Sequence, residues 1–181
     1  QGREEEAKMH LETCVSTFKD HEFTTDPLLH TETLLHLTSI YAKQGRLDEA
    51  HKMSEWAGRL AEIMKGDACL ALASQARAAV LARSDQEEAE EAYLKSLDLW
   101  EKAGWPYYQA RALVAYSEAL AQKNSGESVK RLEHAAEIFR KMGAKRDLDK
   151  AIETWETGLT LYPDSTTLKR GLTKEFVTRG G

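Results

Sequence analysis

The sequence predicts an all-α fold, a right-handed superhelical solenoid built from antiparallel helix pairs. Composition favours helix along the whole chain, because only 3 of its 181 residues are proline and good helix formers such as Ala, Leu, Glu and Lys dominate. One pattern of apolar and small residues also recurs three times at an interval of about forty residues, which is typical of helical repeat proteins. A short polar turn divides each copy of the pattern into two amphipathic halves.

The three copies of the pattern share one order of residues. An apolar first helix is followed by a turn, and a second helix then carries small residues seven positions apart on one face. Small side chains there let the second helix approach the first closely, while larger first-helix residues fill the remaining space. The copies are Leu37-x3-Tyr41…Gly45…Ala50-x6-Ala57, Ala76-x3-Val80…Ser84…Ala89-x3-Tyr93 (with Ser96 seven residues after Ala89) and Tyr116-x3-Leu120…Val129-x6-Ala136.

Helix starts are predicted by residues that cap helix N-termini. Asp26 is followed by Pro27, which is the order expected of an N-cap and a first helical position. Asp67 is expected to cap the next first helix, and Pro106 is expected to begin the one after it. Ser84 with a glutamate three residues later has the spacing of a capping box.

Helix ends are predicted by glycines at positions 45, 66, 104 and 143, each of which follows an apolar-periodic run. Residues 20–27 form the longest connection between helices. The resulting map has nine helices, at 4–19, 28–43, 47–63, 68–82, 86–102, 106–123, 126–141, 145–161 and 166–177.

These residues resemble the tetratricopeptide repeat, whose helix pairs follow a similar order of large and small residues. The resemblance divides the chain into 1–25, the second helix of a truncated repeat with its connection; 26–143, three helix pairs; and 144–181, a C-terminal pair or capping helices. Arg77 departs from the pattern, because it stands where the other copies have Thr38 and Ser117. The long repeats, and the runs 104–113 and 139–144, are similar to those of large bacterial and archaeal regulators, including ATP-dependent transcription activators of the maltose-activator type.

The resemblance implies that the first helix of each pair lines a concave groove that binds a partner. The lysine and asparagine clamp by which some such repeats hold a C-terminal carboxylate is absent at the corresponding positions. The groove positions it implies are Glu32, Leu35, Ser39, Lys43, Ala71, Ser74, Ala78, Arg111, Val114 and Glu118.

An aromatic-rich stretch surrounds the turn at position 104 and contains Trp100, Trp105, Tyr107 and Tyr108. Such residues either fill the space between neighbouring repeats or anchor a partner at an interface. Trp105 is expected to be the most exposed of them, because it precedes the helix start at Pro106. Trp105 and Tyr108 are therefore candidate aromatic anchors.

The sequence contains no motif for catalysis, a metal or a cofactor, and we expect the protein not to be an enzyme. It has no P-loop, no Gly-x-Gly-x-x-Gly, no Gly-x-Ser-x-Gly and no His-Glu-x-x-His. His10 and Cys14 lie four residues apart, which allows half of a metal site or, more simply, a pair at a helix contact. The 2 cysteines build no disulfide framework, which favours a reducing, cytoplasmic setting.

Charge and hydropathy argue against two further classes of protein, those that bind nucleic acids and those that span a membrane. The net charge of −5 argues against nucleic-acid binding, which needs a basic surface, and no apolar run is long enough to cross a membrane. Acidic residues concentrate in 85–102 and basic residues in 123–150. They are either solvated helix faces or an electrostatic seam with a partner or a second copy.

The expected function is a non-enzymatic protein-protein interaction scaffold that binds a protein or peptide in its groove. Because the chain begins at Gln1 without an initiator methionine, we expect it to be part of a larger regulatory protein. The alternative is a small-molecule or peptide sensor arm of an ATP-dependent transcription regulator, and self-association is a third interpretation.

Overall fold

The computed structural model of the chain describes residues 2–20, 26–120 and 125–161, and these ranges form eight α-helices with short connections. The all-α prediction is confirmed, and the helix bounds differ from the predicted ones by at most two residues wherever both are described. The predicted ninth helix, 166–177, lies outside the described residues. The helices are α1 (Gly2–Asp20), α2 (Pro27–Lys43), α3 (Leu47–Met64), α4 (Asp67–Leu81), α5 (Gln86–Ala103), α6 (Pro106–Leu120), α7 (Ser125–Met142) and α8 (Lys145–Leu161).

The chain forms two compact units, residues 1–103 and residues 104–181. In the first unit, α1 packs against α2, α2 packs against α3 and α4, and α4 packs against α3 and α5. In the second unit, α6, α7 and α8 all pack against one another. Within each unit a first helix therefore contacts its own second helix and the next first helix, which is the packing of a helical repeat.

Hydrogen bonds between side chains and neighbouring helices show the helix directions. In the first unit, Ser74 bonds to the carbonyl of Ala92 while Ser96 bonds to the carbonyl of Ala71, so α4 and α5 are antiparallel. In the second unit, Tyr107 contacts Asp147 near the start of both helices, and the Glu118 carboxylate contacts Thr154 further along both. The helices α6 and α8 are therefore parallel, and α8 holds the position of a first helix.

The small residues of the second helices lie in the interior, as predicted. Ala50, Ala57 and Ala89 have no exposed surface, and Ser96, Val129 and Ala136 are also buried. The largest fully buried side chains fill the rest of the interior of each unit, as close packing requires. These large side chains include Leu34, Leu37, Leu72, Trp100, Tyr116, Phe139 and Trp155.

Two helices end in the glycine motif that the sequence predicts. At the end of α2, Gly45 has φ +74°, its N–H donates to Ala42, and the next N–H donates to Tyr41. Gly143 repeats this arrangement at the end of α7. Both are Schellman motifs, in which a left-handed residue lets two otherwise unpaired carbonyls accept hydrogen bonds. Gly104 also has a positive φ.

Three predicted caps are wrong in detail. The left-handed residue after α3 is Lys65, with φ 52°, and Gly66 is instead the N-cap of α4. Asp67 is the first residue of α4 and therefore lies inside the helix instead of at its N-cap. At α5 the carboxylate of Asp85, rather than the hydroxyl of Ser84, accepts hydrogen bonds from the N–H groups of the first turn. By contrast, Asp26 caps α2 with a 2.9 Å bond from Leu28, as predicted.

The turn between α4 and α5 is one residue longer than the turn between α2 and α3. Residues 44–46 connect the first pair, whereas residues 82–85 connect the second. The extra residue shifts α4 by one position relative to the repeat pattern. Thr38 therefore corresponds to Ala76, which is fully buried like it, and not to Arg77, which is exposed. Arg77 therefore departs from the pattern because the register of α4 is displaced by one residue, and it does not occupy the buried position of Thr38.

Candidate functional site

The exposed stripe of α2 contains three of the predicted groove residues. Glu32, Ser39 and Lys43 are half-buried or exposed and follow one another at spacings that keep them on one helix face. Leu35 is buried and belongs to the packed interior. His36, which is not among the predicted groove residues, lies on the same stripe, with its Nε2 atom 3.6 Å from Glu32 Oε1. Its place four residues after Glu32 is the signal that could have identified it.

Two of the three predicted groove residues of α4 lie in the interior, and the third is half-buried and bonded to α5. Ala71 and Ala78 have no exposed surface, and the Ser74 hydroxyl donates a 2.9 Å hydrogen bond to the Ala92 carbonyl in α5. The physical reason is the one-residue shift caused by the longer turn, which rotates these positions toward α5. The stripe of α4 that corresponds to the exposed stripe of α2 instead contains exposed Arg77 and half-buried Leu70, Ala73 and Leu81.

The predicted groove residues of α6 lie partly in the interior and partly at the surface. Val114 is buried, whereas Arg111 is half-buried and Glu118 is exposed. The Glu118 carboxylate accepts a 3.1 Å hydrogen bond from the Thr154 hydroxyl of α8. Glu118 is therefore positioned by the neighbouring first helix, a contact that no spacing within α6 predicts.

The second unit also brings together four residues that we call the aromatic cluster: Trp105, Tyr107, Tyr108 and Arg111. The ring centroids of Trp105 and Tyr108 are 5.5 Å apart with a tilt of 41°. The rings of Tyr107 and Tyr108 are 5.6 Å apart and nearly perpendicular. The Arg111 guanidinium lies 5.9 Å from the Tyr107 centroid and 5.6 Å from the Tyr108 centroid, within the range of cation–π attraction.

Local structure positions the Trp105 side chain. Gly104 takes φ +70°, a conformation that glycine adopts without steric cost. Pro106 then begins α6, and the Trp105 carbonyl accepts a 3.1 Å hydrogen bond from the Gln109 N–H. Trp105 thus sits at the N-cap position with 38% of its surface exposed. It is the most exposed of the four aromatic residues, as predicted, because Trp100 is fully buried and Tyr107 and Tyr108 are half-buried.

Tyr107 is held from two sides by residues far away in the sequence. Its hydroxyl donates a 3.2 Å hydrogen bond to the Asp147 carboxylate of α8. Its ring also makes an edge contact with buried Phe139 of α7, at 6.0 Å between centroids. Tyr107 is therefore the member of the aromatic cluster that contacts the neighbouring helices hold in place, and Trp105 is its most exposed member.

Cys69 is buried in α4, whereas Cys14 is exposed on α1. Burial raises the pKa of the Cys69 thiol, although its hydrogen bond with Thr31 acts in the opposite direction, so this cysteine is a poor nucleophile. His10 and Cys14 are both exposed on α1. Within residues 2–20, 26–120 and 125–161, no group of three or more His, Cys, Asp and Glu side chains is arranged to hold a metal ion.

The charged stretches lie on exposed helix faces and contain pairs within single helices. Lys102 contacts Asp98 at 2.6 Å in α5, and Lys141 contacts Glu137 at 2.7 Å in α7. Such exposed pairs contribute little to stability. None of the helices in the described part of the chain is long and apolar enough to cross a membrane.

Comparisons of the chain with protein-family models, with curated proteins and with solved structures find no match. The resemblance to the tetratricopeptide repeat therefore rests on the residue pattern, and the helix packing described above is compatible with it.

Proposed function

We propose that the chain is a non-enzymatic protein-interaction module of a larger regulatory protein, and that it binds a protein or peptide partner through its first helices. One observation carries the proposal. Trp105, Tyr108 and Arg111, which the sequence indicates for two separate reasons, lie within one aromatic cluster at the start of α6.

The chemistry of the aromatic cluster suits an interface. Trp, Tyr and Arg are the residue types that carry most of the binding energy in protein interfaces. Exposing a tryptophan to water is unfavourable, and a partner that covers it gains the corresponding hydrophobic free energy. The packing and hydrogen bond of Tyr107 order the neighbouring rings before binding, which lowers the entropic cost of association.

The exposed stripes of the first helices add polar contacts in each unit. In the first unit, Glu32, His36 and Lys43 on α2 lie on one face, and Arg77 marks the stripe of α4. In the second unit, Glu118 continues the stripe that begins at Arg111. Charged residues at the rim of an interface select and orient partners more than they add affinity.

The test is a peptide or protein binder selected from a displayed library against the whole chain, then measured against variants. We expect Trp105→Ala and Arg111→Glu each to weaken the binders about tenfold or more. Leu94→Ala and Arg59→Glu are the controls, because they remove an exposed large apolar side chain and reverse an exposed arginine on second helices of the first unit. The thermal unfolding of each variant establishes that it is folded.

Binders that are indifferent to both variants would contradict the proposal. If the chain binds small molecules instead of peptides, and the same two variants lose that binding, the result would favour the sensor-arm alternative. A molecular mass that rises with concentration, and that Trp105→Ala returns to the monomer, would identify the aromatic cluster as a self-association surface instead.

A further inference from the structure

We propose that α1 is a displaceable cover on the first unit, and that the face of α2 beneath it binds an amphipathic helix of a partner protein with the contact residues of α1. This inference goes beyond the proposed function, because it concerns a different surface and does not depend on the aromatic cluster. It follows from how little of α1 is buried, from the contacts that hold α1, and from the residues that keep the underlying face of α2 in place.

The helix α1 buries little of its surface. Of residues 2–18, only Val15 and Phe18 are buried, and Leu11 is half-buried. These three apolar residues follow one another at spacings of four and three, so they form one narrow stripe. Among the described helices α1 packs mainly against α2, whereas α3 packs against both α2 and α4. A helix with few buried contacts opens at a lower free energy than the rest of its domain, so α1 should open before α2 to α5.

A contact at each end of α2 holds α1 in place. Near the start of α2, the ring centroids of Phe18 and His30 lie 4.2 Å apart. Near its end, the Tyr41 hydroxyl donates a 2.6 Å hydrogen bond to the Glu12 carboxylate. The helices α1 and α2 are therefore antiparallel, and α1 binds through an apolar stripe with one carboxylate beside it. We call the α2 surface from His30 to Tyr41 the α1-binding face.

Residues outside α1 hold both ends of the α1-binding face. The His30 ring makes an edge contact with Trp56 of α3, at 5.0 Å between centroids. The Arg46 guanidinium lies 4.5 Å from the Tyr41 ring centroid and donates a 2.7 Å hydrogen bond to Glu49 of α3. These contacts do not involve α1, so they persist when α1 opens. The α1-binding face is therefore ordered before a second helix arrives, which lowers the entropic cost of binding.

The contacts of α1 specify the chemistry of the partner's helix. It is amphipathic, with apolar residues at positions i, i+4 and i+7, and the last of them is an aromatic residue that packs on His30. A carboxylate at position i+1 accepts the hydrogen bond of Tyr41, as Glu12 does in α1. This helix competes with α1, whose effective concentration is on the order of millimolar because both segments belong to one chain. The opening of α1 therefore sets the affinity that a partner's helix observes.

The first measurement is backbone-amide hydrogen exchange of the whole chain. We expect the amides of α1 to exchange about tenfold or more faster than those of α4. Phe18→Ala should accelerate the exchange of α1 by a further factor of about ten or more and leave that of α4 unchanged, and Glu12→Gln should act in the same direction more weakly. Met9→Ala is the control, because Met9 is an exposed apolar residue of the same helix.

The second measurement uses a synthetic peptide with the sequence of α1, residues 2–20, under reducing conditions. Its binding is followed by backbone-amide NMR shifts of the chain. We expect the peptide to bind the Phe18→Ala chain about tenfold or more tightly than the wild-type chain, because the variant's own α1 competes less well. A peptide with Met9→Ala should bind equally well, whereas a peptide with Phe18→Ala should not bind. If Phe18→Ala unfolds the chain, Glu12→Gln takes its place in both measurements.

Three results would overturn the proposal. Exchange of α1 at the rate of α4 would show that α1 is an integral part of the first unit. Equal affinity of the peptide for the wild-type and variant chains, or no shift in α2 with either, would show that the α1-binding face does not accept a second helix. A molecular mass of the wild type that rises with concentration, and that Phe18→Ala returns to the monomer, would make α1 of a second copy the occupant instead of a partner's helix.

Discussion

The Ser96 hydroxyl in α5 donates a 3.0 Å hydrogen bond to the carbonyl oxygen of Ala71 in α4, and neither residue has any exposed surface. Ser96 occupies the position that alanine holds in the first and third repeats, at Ala57 and Ala136. The bond establishes which face of α4 meets α5, and it places Ala71 inside the pair.

Enlarging Ser96 should therefore destabilise the first unit. We expect Ser96→Leu to overpack the contact and lower the free energy of unfolding by about 1–3 kcal/mol. Ser96→Ala loses only the hydrogen bond and should cost about 0.5–1.5 kcal/mol. Chemical denaturation measures both, with the exposed neighbour variant Lys95→Leu as control. Equal unfolding midpoints for Ser96→Leu and Lys95→Leu would refute the packing argument.

The left-handed residue Lys65 predicts a stabilising substitution. A side chain at φ 52° is sterically disfavoured, whereas glycine adopts this conformation freely. We expect Lys65→Gly to raise the free energy of unfolding by about 0.5–1 kcal/mol. The same change at Lys52, an exposed position inside α3, should lower it by about 1 kcal/mol. Thermal unfolding of the two variants should therefore shift in opposite directions, and shifts of the same sign would contradict this account.

The N-cap of α5 provides a third prediction. Asp85 Oδ1 accepts hydrogen bonds of 3.0 Å and 3.1 Å from the N–H groups of Glu87 and Glu88. We expect Asp85→Ala to cost about 0.5–2 kcal/mol, because these N–H groups lose their acceptor. Asp85→Asn should retain most of the stability, and Ser84→Ala should change it little. A larger loss for Ser84→Ala than for Asp85→Ala in urea unfolding would restore the capping box that the sequence suggested.

A fourth prediction concerns stability at alkaline pH. The Tyr41 hydroxyl donates a 2.6 Å hydrogen bond to Glu12 of α1, and burial together with this carboxylate raises the pKa of Tyr41 from 10.0 to about 12. The pKa of Tyr41 is therefore higher in the folded state than in the unfolded state. The stability that this difference contributes is complete below pH 10 and is lost as the pH rises from about 10 to about 12.

Tyr41→Phe isolates this effect. The variant should lack the Tyr41 part of the alkaline loss, so its stability should fall less steeply between pH 10 and 12 than that of the wild type. Glu12→Gln should lower the pKa of Tyr41 in an ultraviolet titration of the phenolate. Parallel stability curves for wild type and Tyr41→Phe over this pH range would show that the hydrogen bond has no energetic role.

Most of the helix framework could be predicted from the sequence, because it depends on local signals. Apolar periodicity, Asp26 before Pro27, and glycine after α2 and α7 each act within a few residues. The first and third repeats also follow the pattern in register. Thr38 and Ser117 are both buried, and each hydroxyl donates a 2.8 Å bond to the carbonyl four residues earlier.

The second repeat could not be placed in register from the pattern, because the pattern does not specify turn length. One additional residue among positions 82–85 rotates α4 by about 100° relative to the assumed alignment. That rotation moves Ala71, Ser74 and Ala78 toward α5 and turns Arg77 outward. A count of small residues cannot detect such an insertion, since alanine occurs on every face of α4.

The sequence alone determined that the chain is helical, that small residues let the two helices of each pair approach closely, and that aromatic residues concentrate beside position 104. These properties depend on neighbours within one or two helical turns. Only the tertiary structure decided which first-helix residues are exposed and which aromatic residues are in contact. Tyr107 meets Asp147 and Phe139 because α6, α7 and α8 pack together, and contacts between residues so distant in the chain depend on helix packing that no local pattern encodes.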